Sequence, residues 1–502
     1  MKGDAMEENW RRCAGMDVHK DMIEVHVLAP DSEPKVKSER RTFRTFTGDL
    51  IQLRTWLVGM RVTEAGMEST GVYWQPVWRE LEGHVAKLIL ANPAQVKALQ
   101  GRKSDRRDAK RIAEFVKDGR LDSSFVPPPE FREMRELLRH RVNLLGDRNR
   151  TQNRIHKVME GANLKFAPVA SDLFGATGRG VMAALVAGEA DPDKLALMAM
   201  GKLKIKGEEL RRALRGNFTP HNRFMLGDLL EQLESVEARI AKYEGEVATR
   251  MKPHEEQIRR LRTIPGVDLV VAWTMVAELG VDMDVFPDAA HCASWAGLCP
   301  GENESAGKRH STRTKRGNRY LRRVLVQAGW ANSRRKKGYL KARFHRIAAR
   351  KGQKKAAVAV GHKILVCGYT MLKTGTDYAE LGEDYFDVME IDKTARRLKG
   401  RLERIGFKVS LERVVGESAA VAQPEPGAVG DGGGGCALDV VGPSPDSTGT
   451  VQPQAAVAAP PAKRKRGRPC KCAERGIACT HRGQPKSAQA KNPEKALVPE
   501  IP

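Results

Sequence analysis

Alternation and helical spacing divide the chain before any single residue is weighed. Residues 13–17 form a short apolar run. After a turn at His19, Lys20 and Asp21, the residues Ile23, Val25 and Val27 alternate with Glu24 and His26, the pattern of a hairpin partner. Residues 42–46 predict a third strand. Thr47 then reads as the cap of a helix carrying Leu50, Leu53, Trp56 and Leu57 on one face. Residues 62–68 and 85–90 read as further strands, separated by a helix over 72–81. Ser104 is placed to cap a helix that ends near Lys117. Strands first, then mixed β and α, predict a central sheet flanked by helices over residues 12–126.

Beyond Pro127-Pro128-Pro129 the pattern becomes helical. Residues 130–161 read as one long helix and residues 225–250 as a second. In the second, Leu226, Leu229, Leu233, Val236, Ile240, Tyr243 and Val247 recur in steps of three and four, the seam of a coiled coil about three heptads long. That seam packs either on its own domain or on a second copy, which makes 130–260 a candidate dimerisation region. Residues 261–390 predict a mostly helical domain, and 393–415 an amphipathic extension. Residues 416–462 collapse to Ala, Gly, Val and Pro and cannot build a core, so they read as a disordered linker to a basic tail at 463–502.

Charge sharpens this picture. Lys and Arg number 87 against 62 Asp and Glu, a net charge of +25 that points to a polyanionic partner, most simply nucleic acid. Between residues 305 and 376 there is no acidic residue, while Lys and Arg number 21. A solvated surface mixes its signs, so this block reads as a phosphate-contacting module. Residues 1–12 are polar and charged, and no apolar run has membrane-spanning length, so neither a secretory leader nor a membrane anchor is expected. Eight scattered cysteines fit a reducing cytoplasm better than a disulfide framework.

Within so basic a chain the acids stand out. Asp17 ends one strand in M-D-V-H-K, Glu68 ends another in M-E-S-T-G-V-Y-W, and Asp105 and Asp108 lie one helical turn apart in K-S-D-R-R-D-A-K-R-I-A. Salt bridging to Arg106, Arg107, Lys110 and Arg111 is one account of the last pair. Four carboxylates converging from strand ends and a helix start would repel one another unless a cation neutralised them, and hard oxygen donors suit Mg²⁺ or Mn²⁺. Two such ions about 3.5–4 Å apart are the arrangement used for phosphodiester cleavage.

These three motifs resemble those of the DEDD-type insertion-sequence transposases, the group that includes the Piv-type DNA invertases. The resemblance covers roughly residues 12–390. It implies an RNase H-like, RuvC-like fold for the amino-terminal domain, with Asp17, Glu68, Asp105 and Asp108 as the Mg²⁺ set. It also implies a carboxy-terminal transposase domain with a nucleophilic serine, which falls on Ser305 in S-A-G-K; Ser294 is the competing serine but reads as part of an apolar helix. A hydroxyl beside Lys308 and Arg309 lies in a field that stabilises an alkoxide and a pentacovalent phosphate.

Other DNA contacts are read from local chemistry. Residues 261–280 have a helix, Pro-Gly turn, helix pattern, but Asp268 stands where the family usually has glycine, and a carboxylate there would repel phosphate; a structural turn is the reading. Arg313, Lys315, Arg316, Arg319, Arg322 and Arg323 cluster at the start of a helix suited to phosphate contact. Tyr320, Trp330 and Tyr339 offer stacking surfaces or core packing. In the tail, Arg466 and Arg468 lie in R-G-R-P, the core of an AT-hook that enters narrow A·T minor grooves. Cys470, Cys472, Cys479 and His481 form a candidate Zn²⁺ site with non-standard spacing.

The expectation is therefore a transposase that breaks and rejoins DNA on the bacterial nucleoid. The resemblance implies a transient phosphoserine link, a non-coding bridge RNA that selects target and donor, and a dimer or tetramer that assembles composite sites. A junction resolvase using the carboxylates alone, and a non-catalytic nucleic-acid-binding protein, are the competing readings.

Overall fold

The computed structural model describes residues 12–28, 38–69, 71–93, 96, 105–170, 172–301, 304–305, 308–309 and 313–412; side chains are described for all of these except 105–107, 304–305 and 308–309. Five strands form one sheet: β1 (Cys13–Val18), β2 (Met22–Val27), β3 (Glu39–Arg44), β4 (Glu64–Glu68) and β5 (Lys87–Ala91), in the order β3-β2-β1-β4-β5. β1 runs antiparallel to β2 and β2 to β3, whereas β1, β4 and β5 are parallel. This mixed sheet, followed by helical content, is the arrangement expected of an RNase H-like domain with helical domains after it.

The two faces of the sheet are built differently. Ala14, Met16, Ala65 and Met67 pack against Leu50, Leu53, Trp56 and Leu57 of α1 (Thr47–Gly59) and against Val77, Trp78 and Leu81 of α2 (Trp74–Leu81). The opposite face carries Gly15 and Gly66 and receives α3 (Asp105–Lys117). A Cβ on Gly15 would fall 2.1 Å from the Ala109 carbonyl oxygen and 2.3 Å from the Ala113 nitrogen; one on Gly66 would fall 2.5 Å from Val116 Cγ2. The missing side chains let the helix lie directly on the strands.

This close seating has a measurable consequence. Gly15→Ala is expected to cost at least the upper end of the ~1–3 kcal/mol typical of overpacking, because the obstructing atoms are backbone. Gly59→Ala, where a Cβ meets nothing within 4 Å, should leave stability unchanged or slightly raised. Denaturant unfolding of both variants decides it, and equal midpoints would mean that α3 is not seated on β1.

Two local expectations are corrected. The third strand is Glu39–Arg44 rather than 42–46: it is an edge strand whose charged residues hide the alternation, and Arg40 Nη2 donates to both carboxylate oxygens of the buried Glu24 of β2 at 2.7 and 2.6 Å. Thr47 does not cap α1; it is the first helical residue, and Phe46 holds the cap position without a side-chain bond.

The long helices are α4 (Pro129–Gly161) and α9 (Pro220–Arg250). The second starts five residues earlier than its apolar seam suggests, because Thr219 and Asn222 form a reciprocal capping box ahead of it. Glu133 meets Arg250, Arg141 meets Glu244 and Thr151 meets Gln232, so the two helices lie antiparallel. Leu226, Leu229, Leu233, Val236, Ile240 and Val247 are buried within the chain itself. Between the helices, α5 (Phe166–Val169), α6 (Ala176–Ala187), α7 (Pro192–Leu197) and α8 (Gly207–Leu214) share a core with Ile155, Met159, Leu226, Leu229 and Leu233. Sequence patterning gave no elements there.

The remaining helices are α10 (Glu255–Thr263), α11 (Leu269–Leu279), α12 (Ala289–Trp295), α13 (Arg319–Ser333), α14 (Tyr339–Lys351), α15 (Gln353–Thr374), α16 (Tyr385–Met389) and α17 (Ile391–Arg404). Their core takes in Phe131, Met134 and Leu138 of α4 and Val247 and Met251 near the end of α9. Asp268 caps α11 by accepting from the Val271 amide at 2.8 Å. Pro265 accepts from the buried Asn332 at 2.7 Å, and a Cβ on Gly266 (φ +85°) would strike that same side chain. The Pro-Gly turn is thus packed against α13, as a structural turn. Among the described residues, no helix is long and apolar enough to cross a membrane.

Candidate functional site

The last registered pair between β1 and β4 is Met16 with Met67. Asp17 and Glu68 follow it, so they stand side by side at the carboxyl ends of neighbouring parallel strands, about 4.8 Å apart in the hydrogen-bonding direction. Alternation directs both to the face occupied by α3. That helix runs against β1: Cys13 packs with Ile112, Phe115 and Val116, and Gly15 lies against Ala109 and Ala113. The next inward position, Asp17, therefore lies toward the first turn of α3, where Asp105 opens the helix and Asp108 follows three residues later. The positive end of the helix dipole favours carboxylates at that end.

Electrostatic detail separates two kinds of carboxylate on this face. Glu24, opposite Asp17 in the β1–β2 register, is 8% exposed, and each of its carboxylate oxygens accepts from Arg40 Nη2. Asp108 differs: its Oδ1 is buried without a hydrogen-bond partner, and the Arg111 guanidinium stands 4.0 Å away. Asp17 Oδ2 lies 3.1 Å from His19 Nε2. Among the described residues, no group of three or more His, Cys, Asp or Glu side chains gathers as for a metal ion; the Asp105 side chain is outside that description. Hard oxygen donors on two strand ends and a helix start, one of them a buried oxygen lacking a hydrogen-bond partner, fit Mg²⁺ or Mn²⁺.

Sequence reasoning missed Gly15, Gly66 and Glu24. The signal for the glycines was present, since β1 and β4 both read Ala-Gly-Met-acid and align with one another residue for residue.

The predicted nucleophile lies in a second, smaller feature. β6 (Glu304–Ser305) and β7 (Lys308–Arg309) pair antiparallel, with Ser305 in register with Lys308 and Glu304 with Arg309. At the root of this loop the Gly301 amide donates to the Arg313 carbonyl at 2.8 Å, and the Lys315 amide to the Cys299 carbonyl at 3.1 Å. Gly297 and Gly317 touch closely enough that a Cβ on Gly317 would fall 2.3 Å from the Gly297 nitrogen. Asn318 then caps α13 and donates to Glu278 at 2.7 Å.

Glu278 is buried and also receives Arg135 and both fork nitrogens of Arg139. Burial lowers the Arg135 guanidinium to about 10. The serine loop is thereby tied to α4, the helix that leaves the sheet domain. Ser294, on α12, is half-buried in a helix, as its apolar surroundings suggested.

The basic cluster at the start of α13 faces outward: Arg313, Lys315, Arg316, Arg319 and Arg323 are exposed and Arg322 half-buried. Arg319 donates to the Tyr320 hydroxyl at 2.7 Å, and Arg139 and Arg319 both lie over its ring. Tyr339 belongs to the core, and Trp330 packs on Phe344. Ser104, Arg466, Arg468, Cys470, Cys472, Cys479 and His481 lie outside the described residues, as do the side chains of Ser305, Lys308 and Arg309.

Comparison with known proteins bears on both features. Residues 14–164, which hold all four predicted carboxylates, match the DEDD family model of IS110 elements, described as a transposase. Residues 258–345, which hold Ser305 and the basic cluster, match the model described as transposase IS116/IS110/IS902 family. A Pseudomonas aeruginosa protein named "Probable family 20 transposase" is 27% identical over 320 residues, 63% of this chain and 82% of that protein. The Leptospira borgpetersenii "Transposase for insertion sequence element IS1533" is 26% identical over 161 residues, 31% of this chain and 45% of its own length. Two matches in the family's order, one over the carboxylate sheet and one over the serine loop, support an IS110-type DEDD DNA transposase with a RuvC-like amino-terminal domain.

Proposed function

We propose that this transposase cuts and rejoins element DNA through Asp17, Glu68, Asp105 and Asp108 with Mg²⁺ or Mn²⁺, and through Ser305 as nucleophile. The observation that carries this reading is the juxtaposition of Asp17 and Glu68 with the first turn of α3, where Asp108 keeps a buried oxygen without a hydrogen-bond partner. When bound, the divalent ion supplies Lewis-acid stabilisation of charge on the phosphate and eases deprotonation of the attacking oxygen. The four acids hold the scissile phosphate's surroundings in a fixed geometry. Ser305 Oγ loses its proton and forms a bond to phosphorus as the bridging P–O bond breaks and a sugar hydroxyl departs. A hydroxyl from the second strand then displaces the serine, restoring both the protein and the phosphodiester. Exposed arginines and lysines at the start of α13 hold flanking phosphates.

On this proposal residues 12–126 are the catalytic domain, 130–260 a helical connector, and 261–390 the serine-bearing domain. A structured RNA that selects target and donor belongs to the same reading, as does assembly of two or more copies. A junction resolvase using the acids alone is the competitor, because none of the four acids lies on the serine loop.

Metal binding tests the core of the proposal without reference to turnover. The wild-type chain should bind Mn²⁺ in calorimetric titration, and Asp108→Asn should weaken binding at least about tenfold. Chelation by EDTA should stop strand cleavage and added Mg²⁺ restore it. Unchanged Mn²⁺ affinity in Asp108→Asn would remove the metal reading of α3.

A further inference from the structure

The helix α17 has no buried residue, although it repeats apolar positions in a strict four-three rhythm: Ile391, Ala395, Leu398, Leu402 and then Ile405 just past its end. Its large members are 40–66% exposed. The segment before it is fastened down. Tyr385 and Phe386 of α16 pack on Tyr339, and Glu390 pairs with Arg346 of α14 at 2.7 Å. An apolar stripe of about two heptads is thus held at a fixed attachment point and left open.

We infer that α17 is a self-association element that pairs antiparallel with α17 of a second copy of this chain. The occupant follows from charge. With the stripe written as alternating d and a positions, Asp392 and Lys399 both fall at e and Thr394 and Arg401 both fall at g. Antiparallel pairing brings e beside e and g beside g. Ile391 then lies opposite Leu402 of the partner subunit and Ala395 opposite Leu398 of the partner subunit. Asp392 meets Lys399 of the partner subunit, and symmetry repeats each contact, giving two ion pairs along one flank of the seam.

A parallel pair fails on the same residues, since e would face g and set Lys399 beside the partner's Thr394, leaving it only Glu403 of its own helix at 3.9 Å, with the helix dipoles aligned. The heptad seam of α9, the other candidate for joining subunits, is occupied by the chain's own α4. Two heptads make a short interface, and an isolated helix of this length is marginal in water; the pairing therefore acts as one contact of an assembly in which two chains are already brought close. It stands independently of the catalytic reading.

Directional cross-linking tests it on the full chain, with Cys436, Cys470, Cys472 and Cys479 changed to serine. Ala395→Cys protein mixed with Leu398→Cys protein should oxidise to a covalent dimer, while either variant alone should give at least fivefold less. Adding Asp392→Lys to both should cut the yield at least fivefold, and adding Lys399→Asp as well should restore it. Asp392 and Leu398 are exposed and Ala395 and Lys399 half-buried, and unchanged thermal unfolding of each variant serves as the folding control. Self-cross-linking of each variant alone means a parallel pair. An unlinked mixture, or a yield that Asp392→Lys leaves unmoved, likewise overturns the inference.

Discussion

Asp17→Asn should reduce strand cleavage in Mg²⁺ by at least about a thousand-fold while the protein stays folded. Removing one preorganised electrostatic contact at a reacting phosphate typically costs 10²–10³ in rate, and a direct metal ligand does more than such a contact. The substitution keeps shape and removes only charge, and Asp17 is half-exposed at a strand end, so stability should change little. The contrast that gives the experiment its force is Glu24→Gln. Glu24 is the cross-strand partner of Asp17 on the same face, yet its carboxylate is saturated by Arg40. If the acids of this face serve only as ion pairs, both variants should behave alike: a modest loss of stability and cleavage intact. If Asp17 binds the catalytic ion, Asp17→Asn is inactive and Glu24→Gln cleaves near the wild-type rate. Glu68→Gln should follow Asp17→Asn, because the two positions are neighbours in the parallel register. Retained cleavage in both Asp17→Asn and Glu68→Gln would sink the metal reading.

Much of this frame is legible in the chain itself, for reasons that also mark where legibility stops. Strands β1 and β2 announce themselves because one face of each is apolar. Strand β3 does not, since an edge strand with one neighbour needs no apolar alternation, and Glu39, Arg40 and Arg41 satisfy it with charge. The long helices are visible because a buried stripe must recur every three or four residues. Their partner is not, because the seam of α9 would look the same packed on α4 or on a second copy. The small helices between them are short enough that no periodic signal accumulates. The acids stand out through their motifs, but what seats α3 beside the strand ends is in the glycines two residues before Asp17 and Glu68: only a residue without a Cβ lets Ala109 and Ala113 approach β1 closely enough to bring the start of α3 toward Asp17. That a buried oxygen of Asp108 has no hydrogen-bond partner, by contrast, is a tertiary fact that no pattern could carry.

Ser305→Ala is the second large effect, and it separates recombinase from resolvase. The expectation is loss of strand transfer by about 10⁴ or more, the order found when an attacking side chain is removed outright, together with complete loss of a covalent protein–DNA adduct on denaturing gels. A resolvase using the acids alone would keep cutting. The placement of Ser305 in register with Lys308 gives the alanine variant a graded companion. Lys308→Gln removes a neighbouring cation but leaves the hydroxyl, so it should slow adduct formation by roughly 10²–10³, the cost of one charge-stabilising group, without abolishing it. Ser294→Ala should leave the adduct unchanged, because that side chain is half-buried on α12. The double variant Asp17→Asn, Ser305→Ala completes the argument: if acids and serine act in one step, it should be no slower than the worse single variant, whereas multiplied losses would place them in separate reactions. An adduct that survives Ser305→Ala would move the nucleophile elsewhere in the chain and leave the carboxylate face as a nuclease centre in its own right.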